Sequence, residues 1–231
     1  MTNQEINIYI LKRDFRILDN EALYMAIEDS RPLLMLHFFE PEEQNENYWS
    51  LRHWQFRYGS LIDFNKAIPG NSKAFSVYSD PLEFLKLLSS DHKIHQVFSH
   101  LETGTKFSFD RDLKLKKYLG KSQIEWKEYE QFGVQRGLSN REGWDKRWYT
   151  FVHSQLFTPN LNNLKTLNLD IPEEYQLPKS IQTKLKIYPK QYQPSGRKYA
   201  ERYLESFLEE RVFGYNKNIS KPRESRRSCS R

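Results

Sequence analysis

The sequence has one cysteine, Cys229, in 231 residues. A lone thiol leaves no disulfide framework and no cysteine-based metal cluster, and it suits a reducing cytoplasm. No apolar run approaches the ~18 residues that a membrane span needs. The opening residues Met1-Thr2-Asn3-Gln4-Glu5 lack the basic n-region of a secretory signal. Neither a G-x-G-x-x-G after the first apolar run nor a Walker phosphate loop is present. That argues against the common dinucleotide dehydrogenases and NTPases. His37, His53, His92, His95, His100 and His153 form no H-E-x-x-H or comparable ligand spacing. No Ser-His-Asp arrangement is readable either.

Aromatic side chains are plentiful: 15 Phe, 14 Tyr and 5 Trp. They bury large areas and also make flat walls for rings or bases. The length is enough to bury a core without staples, and it fits one large domain or one and a half typical ones. The formal charge is +6 and unevenly spread. From Lys217 to Arg231, six cations stand against Glu224 alone. This basic end reads either as a solvated tail or as a segment facing the phosphates of a cofactor or nucleic acid.

Along the chain, short apolar runs alternate with helical patterns. Ile6 to Leu11 reads as a buried strand. Asn20 to Ser30 places Ala22, Leu23, Ala26 and Ile27 on one helical face. Leu33 to Phe39 is a second strand, and Tyr48 to Ile68 a long helix ended by Pro69-Gly70. Ala74 to Tyr78 is a third strand. Asp80-Pro81 opens a helix through Leu88, with Asp80 as its N-cap. His95 to Ser99, a helix from Lys106 to Leu119, and Ile124 to Tyr129 complete the series. The pattern predicts an α/β fold: a Rossmann-like five-stranded parallel sheet with helices on both faces. Ligands in such sheets sit beyond the carboxyl ends of the strands. That rule points at Lys12 to Arg16, Phe39 to Glu42, Ser79-Asp80 and His100 to Thr105. His100 is therefore the histidine to watch.

After Tyr129 the texture changes. Residues 131–194 carry few apolar runs, and their prolines, Pro159, Pro172, Pro178, Pro189 and Pro194, all fall from residue 159 onward. This reads as a long connector between two domains. A new helix from Gly196 to Arg211 has Tyr199, Ala200, Tyr203, Leu204, Phe207 and Leu208 along one face. Its apolar stripe needs a partner surface.

The most informative stretch is Lys12-Arg13-Asp14-Phe15-Arg16-Ile17-Leu18-Asp19-Asn20. Asp19 or Asn20 caps the next helix, and Arg13 and Arg16 are positioned to pair with Asp14 and Asp19. The turn can be purely structural, or shaped to meet a ring system or another domain. Leu11 to Leu23 resembles the opening motif of the photolyase/cryptochrome family, whose usual form is R-R-D-L-R-x-x-D-N-x-A-L. Three later stretches agree in order. Arg52-His53-Trp54-Gln55-Phe56 resembles the helix after the family's second strand. Ser99 to Gly104, followed by Arg111-Asp112, resembles its fourth strand and the next helix. Ser228-Cys229-Ser230-Arg231 resembles the start of its T/C-S-R-L-S-P flavin-phosphate stretch.

The resemblance implies three parts. Residues 1–130 are an N-terminal α/β antenna domain, 131–194 an interdomain connector, and 195–231 the truncated start of a helical FAD-binding domain. It implies a light-dependent DNA photolyase, in which excited, reduced FAD splits a pyrimidine dimer flipped out of damaged DNA. The alternatives are a cryptochrome blue-light photoreceptor, or a non-catalytic truncated α/β domain. The cofactor contacts carried over are Tyr215, Ser230 and Arg231, with Cys229 where Thr is more usual. Catalytic residues are expected beyond Arg231, so the chain alone is expected to retain no FAD. An antenna chromophore is possible. Folate-binding members place a carboxylate near Phe107 and Ser108, where this chain has none; Glu102 lies nearby and either substitutes or pairs locally. Trp144-Asp145-Lys146-Arg147-Trp148 either stacks on a ring or anchors the connector to the sheet. The expected protein is a cytoplasmic monomer, without a membrane segment and without a metal.

Overall fold

The first apolar run becomes the middle of a sheet because its neighbours are equally apolar on both sides. In a computed structural model that describes residues 5–187, 190 and 192–218, β1 is Glu5–Ile10, β2 Leu33–Phe38, β3 Ala74–Val77, β4 Lys93–His100 and β5 Glu125–Tyr129. They form one five-stranded sheet in the order β3-β2-β1-β4-β5. Every pairing is parallel, with Ile8 opposite Leu34 on one side and Val97 on the other. The expected α/β class and five-stranded parallel sheet are what the chain adopts.

Side-chain alternation along β1 splits the core in two. Ile6, Ile8 and Ile10 face the helices α3 (Pro81–Asp91) and α4 (Lys106–Lys121), through Phe84, Leu85, Leu88, Leu115 and Leu119. Tyr9 and Leu11 face α1 (Glu21–Glu28) and α2 (Leu51–Ala67), through Ala22, Leu23, Ala26, Leu61 and Phe64. Both faces are covered, which is why the strands read as continuous apolar runs. Asn20 caps α1 by accepting the Leu23 N–H at 2.9 Å, and Asp80 caps α3 by accepting that of Leu82 at 2.8 Å. Asp19 does not cap; it takes a left-handed turn with φ of 52°. The long helix starts at Leu51, three residues later than its apolar period suggests. Tyr48 instead reaches across to Thr105, with 3.0 Å between the two hydroxyl oxygens.

Residues 131–194 are more structured than a bare connector. The segment holds α5 (Trp144–Val152) and α6 (Lys179–Leu185). Its middle lies along β2, where Leu33 N–H donates to Lys165 and Leu167 N–H to Leu33. Leu177 and Leu185 are buried with Phe39 and Trp54 in a third cluster. Leu177 and Leu185 thus dock the segment to the end of the sheet and α2, while Leu156, Trp144 and Trp148 stay exposed. Beyond it, α7 (Arg197–Glu209) buries no residue, and the short α8 (Tyr215–Asn218) follows. Leu204 and Leu208 of the expected stripe stand exposed, and so does Phe213 beyond the helix.

Candidate functional site

The turn after β1 enters the carboxyl edge of the sheet with Asp14 pointing inward. Asp14 is buried and accepts three hydrogen bonds: from the Tyr9 hydroxyl, from the Lys12 backbone N–H at 2.8 Å, and from His100 Nδ1 at 2.7 Å. Burial alone raises a carboxyl pKa, but the His100 and Tyr9 hydrogen bonds outweigh it and hold Asp14 below its ordinary value. Burial beside that carboxylate pushes the Tyr9 hydroxyl well up, so it stays a donor. Asn20 Nδ2 completes the cluster with bonds to the Tyr9 oxygen at 2.9 Å and the Arg16 carbonyl at 2.8 Å.

The expected ion pairs within the turn do not form. Arg13 reaches Glu102 at 3.2 Å, and Arg16 donates to the Asp19 carbonyl and to Gln131. Asp14 lies under the strand ends, within reach of the Tyr9 and His100 side chains. His100 is therefore a buried partner of the turn and presents no free ring nitrogen to a ligand at Nδ1.

A second polar cluster lies between the strand ends and α4. The Arg111 guanidinium contacts Glu40 at 2.6 Å, Asp112 at 2.8 Å and Glu102 at 3.1 Å. Lys12 meets Asp112 at 2.6 Å. Burial works against the Arg111 cation, but the three carboxylates reverse the effect and raise its pKa. Burial raises Glu40 to about 7, opposed by Arg111 and assisted by Glu43 and Asp80. Both directions hold together because Arg111 divides its field among three carboxylates. Glu102 also accepts the Gly104 N–H at 2.7 Å, so it pairs locally rather than offering a free acid.

Beside this cluster is a crevice of about 60 Å³, lined by Lys12, His37, Glu40, Arg57, Arg111 and Asp112 among others. Phe107 and Ser108 line it as well, at the start of α4. His37 is buried between Phe15 and Phe39, each 4.8 Å away edge-on. Its Nδ1 meets the Leu11 carbonyl at 2.8 Å, so that nitrogen carries the proton. Burial, helped by Arg57, lowers its pKa to about 3. His37 Nε2, Glu40 Oε2 and Arg57 Nε are buried there without a hydrogen-bond partner. The sheet-edge rule pointed to this place; pairing of Arg111 with Glu40 across 71 residues carried no sequence signal.

The other expected contacts lie apart. Trp144 and Trp148 stack with centroids 6.3 Å apart and an interplanar angle of 22°, but are 42% and 41% exposed. They do not anchor the connector by burial; α5 buries no residue. Tyr215 is half-buried, with Phe207 edge-on at 5.8 Å. Ser230, Arg231 and Cys229 lie outside the described residues.

The sequence model of the DNA photolyase family matches residues 7–132, more than half of the chain, and takes in most of β1, the turn, β2 to β5 and the Arg111 cluster. The chain belongs to the DNA photolyase family. Solved structures agree on the fold. An archaeal photolyase from Sulfolobus tokodaii, whose crystal structure holds two FAD molecules, aligns over 86% of this chain and 46% of its own, with TM-score 0.66 and 20% identity. A class III photolyase from Agrobacterium tumefaciens aligns over 94% and 47%, with TM-score 0.64 and 16% identity. A cryptochrome from Synechocystis aligns over 94% and 49%, with TM-score 0.66 and 15% identity. No curated protein matches the chain in sequence. The photolyase-family chain thus spans about half the length of these structures. Its turn Lys12 to Asn20 is the family's opening motif, held here by Tyr9, His100 and Asn20. No helix among the described residues is long and apolar enough to cross a membrane, and no cluster of three or more metal-ligating side chains occurs among them.

For the flavin that the family implies, Tyr215 is the candidate contact within the described residues. Phe207 packs edge-on against its ring. Lys217, two residues on, leaves the short helix on another face, so the two do not make one donor set. The sheet-edge crevice does not suit a flavin: ring ligands of drug size occupy roughly 300–1,000 Å³.

Proposed function

We propose that this chain is the N-terminal part of a light-dependent DNA repair flavoprotein, a DNA photolyase that splits pyrimidine dimers. The match of the family model across residues 7–132 carries this reading. Residues 1–130 form the α/β domain, 131–194 the connector, and 195–231 the start of the helical FAD-binding domain. When bound, reduced FAD excited by light supplies the electron that splits the dimer. Tyr215, Ser230 and Arg231 are proposed to hold its phosphates, by hydroxyl donation and by the Arg231 charge. The exposed stripe of α7 is proposed to pack against the rest of that helical domain, which also receives the damaged DNA. The basic segment from Lys217 onward supports this, since anionic phosphates are the partners that such a cluster attracts. Work in the cytoplasm as a monomer, with reduced Cys229, fits the same reading.

Light-dependent repair of ultraviolet-damaged plasmid by the purified flavoprotein that contains this chain is the test. Restored transformation under blue light is expected. Flavin photoreduction without any repair would instead establish the cryptochrome reading. The 231 residues alone are expected to retain no FAD and to repair nothing; a yellow chain with one flavin per molecule would refute that.

A further inference from the structure

The carboxyl edge of an open α/β sheet is the usual place for a ligand. Here that edge is spanned from side to side by charged side chains. Arg111 comes from α4, Glu40 from the end of β2, Glu102 from beyond β4, and Lys12 from beyond β1. Asp112 joins the two cations, at 2.8 Å from Arg111 and 2.6 Å from Lys12. These side chains are nearly water-free: 13% exposed for Arg111, 3% for Glu40, 4% for Glu102, and 7% each for Lys12 and Asp112. The Tyr48 hydroxyl meets Thr105 at 3.0 Å, and both residues line the same crevice.

We propose that this ion cage closes the sheet edge of the α/β domain, so that the crevice is a structural strut which admits guests of water size and excludes a ring chromophore. Size is the first reason. The crevice measures about 60 Å³, well below the roughly 300–1,000 Å³ of a pocket that holds a ring ligand. Energy is the second. A tricyclic ring could enter only by displacing Arg111, which strands Glu40 as a buried acid and takes one cation each from Glu102 and Asp112. Breaking buried ion pairs from one side is strongly unfavourable, and the ring's binding energy would be consumed in doing it. The orphaned atoms His37 Nε2, Glu40 Oε2 and Arg57 Nε are consistent with this, since each asks for a single hydrogen bond from a small guest. The inference goes beyond the repair reading and stands or falls without it, because repair by the flavoprotein needs no second chromophore at this edge.

Two measurements on the full 231-residue chain test it. The first is ¹⁵N-NMR of the arginine side chains. The Arg111 Nε–H, 2.9 Å from Asp112, is expected to give a resolved, slowly exchanging signal. Exchange as fast as that of an exposed arginine would overturn the cage. The second is fluorescence titration with FAD, FMN, a 5-deazaflavin and a methenyl folate, repeated on Tyr48→Ala and Phe107→Ala at the crevice. No saturable binding in the micromolar range is expected. Saturable one-to-one binding that either variant changes by about tenfold or more, a shift of ~1.4 kcal/mol, would seat the ring in the crevice and overturn the proposal. Binding that neither variant changes places the ring elsewhere and supports the closed edge.

Discussion

His100 Nδ1 lies 2.7 Å from Asp14 Oδ2, which ties the end of β4 to the turn after β1 across 86 residues of sequence. Both side chains are buried, and the same carboxylate holds the Tyr9 hydroxyl and the Lys12 backbone N–H. A charged acceptor with three donors in apolar surroundings is favourable only while all of them are present. The turn that marks the family is therefore held from beneath, by buried hydrogen bonds, and not by pairing among its own surface charges.

Asp14→Ala is expected to cost about 1–3 kcal/mol for each donor it leaves buried without an acceptor, the Tyr9 hydroxyl and His100 Nδ1. Urea unfolding at pH 7 measures it. The folded pKa of Asp14 lies below the ordinary 3.8. Its contribution is thus fully present above 3.8 and is lost as pH falls through the lower, folded value. Asp14→Asn should remove that acid-side part of the stability profile. An unchanged profile below pH 4 would count against the assignment.

Glu40 carries the opposite sign. Burial raises its pKa from 4.5 to about 7. The folded state therefore holds this proton to higher pH than the unfolded chain. Its contribution is present below 4.5 and is lost as pH rises through about 7. Glu40→Gln keeps the shape and cannot titrate, so its urea midpoint should fall less than that of the parent between pH 4.5 and 7. Parallel profiles for parent and variant would show that Glu40 does not titrate there.

Leu185 is a buried anchor of the 131–194 segment, packed with Leu177, Phe39 and Trp54. Leu185→Ala is expected to destabilise by about 2–5 kcal/mol if the whole domain feels the loss. A more local effect is also measurable: faster protease nicking between residues 159 and 187, with the sheet amides still protected. Nicking at the parent rate would mean that α6 does not hold the segment down.

At the start of α7, the Arg197 N–H donates to Asp63 of α2 at 2.8 Å, so a side chain from another helix does the work of an N-cap. Gly196 before it has φ of 103°, and a Cβ there would sit 3.0 Å from the Asp63 carboxyl carbon. Asp63→Ala is expected to cost about 1 kcal/mol, the usual loss of a cap. Gly196→Ala should be at least as damaging, since it strains the backbone as well. Hydrogen exchange of residues 197–200 should speed up in both, while residues 6–10 keep their protection.

Periodicity and composition by themselves determined the architecture. Ile6 to Leu11 and Leu33 to Phe39 have too few polar residues for an exposed strand, so they had to be central and covered on both faces. Asp80-Pro81 and Pro69-Gly70 set helix ends because their backbone chemistry acts locally. The order and spacing of Lys12 to Asn20 marked the family for the same reason: a turn is read within a few residues. Tertiary structure alone decided the partners. Asp14 chose His100 over Arg13 because the strand order β1-β4 puts the two ends side by side. Arg111 gathered acids from beyond β2, beyond β4 and α4 because α4 crosses the open edge where those ends converge. Such contacts depend on distances between elements far apart in the chain, and no local pattern encodes them. What looked from sequence like an open ligand edge is, once folded, filled by its own charges.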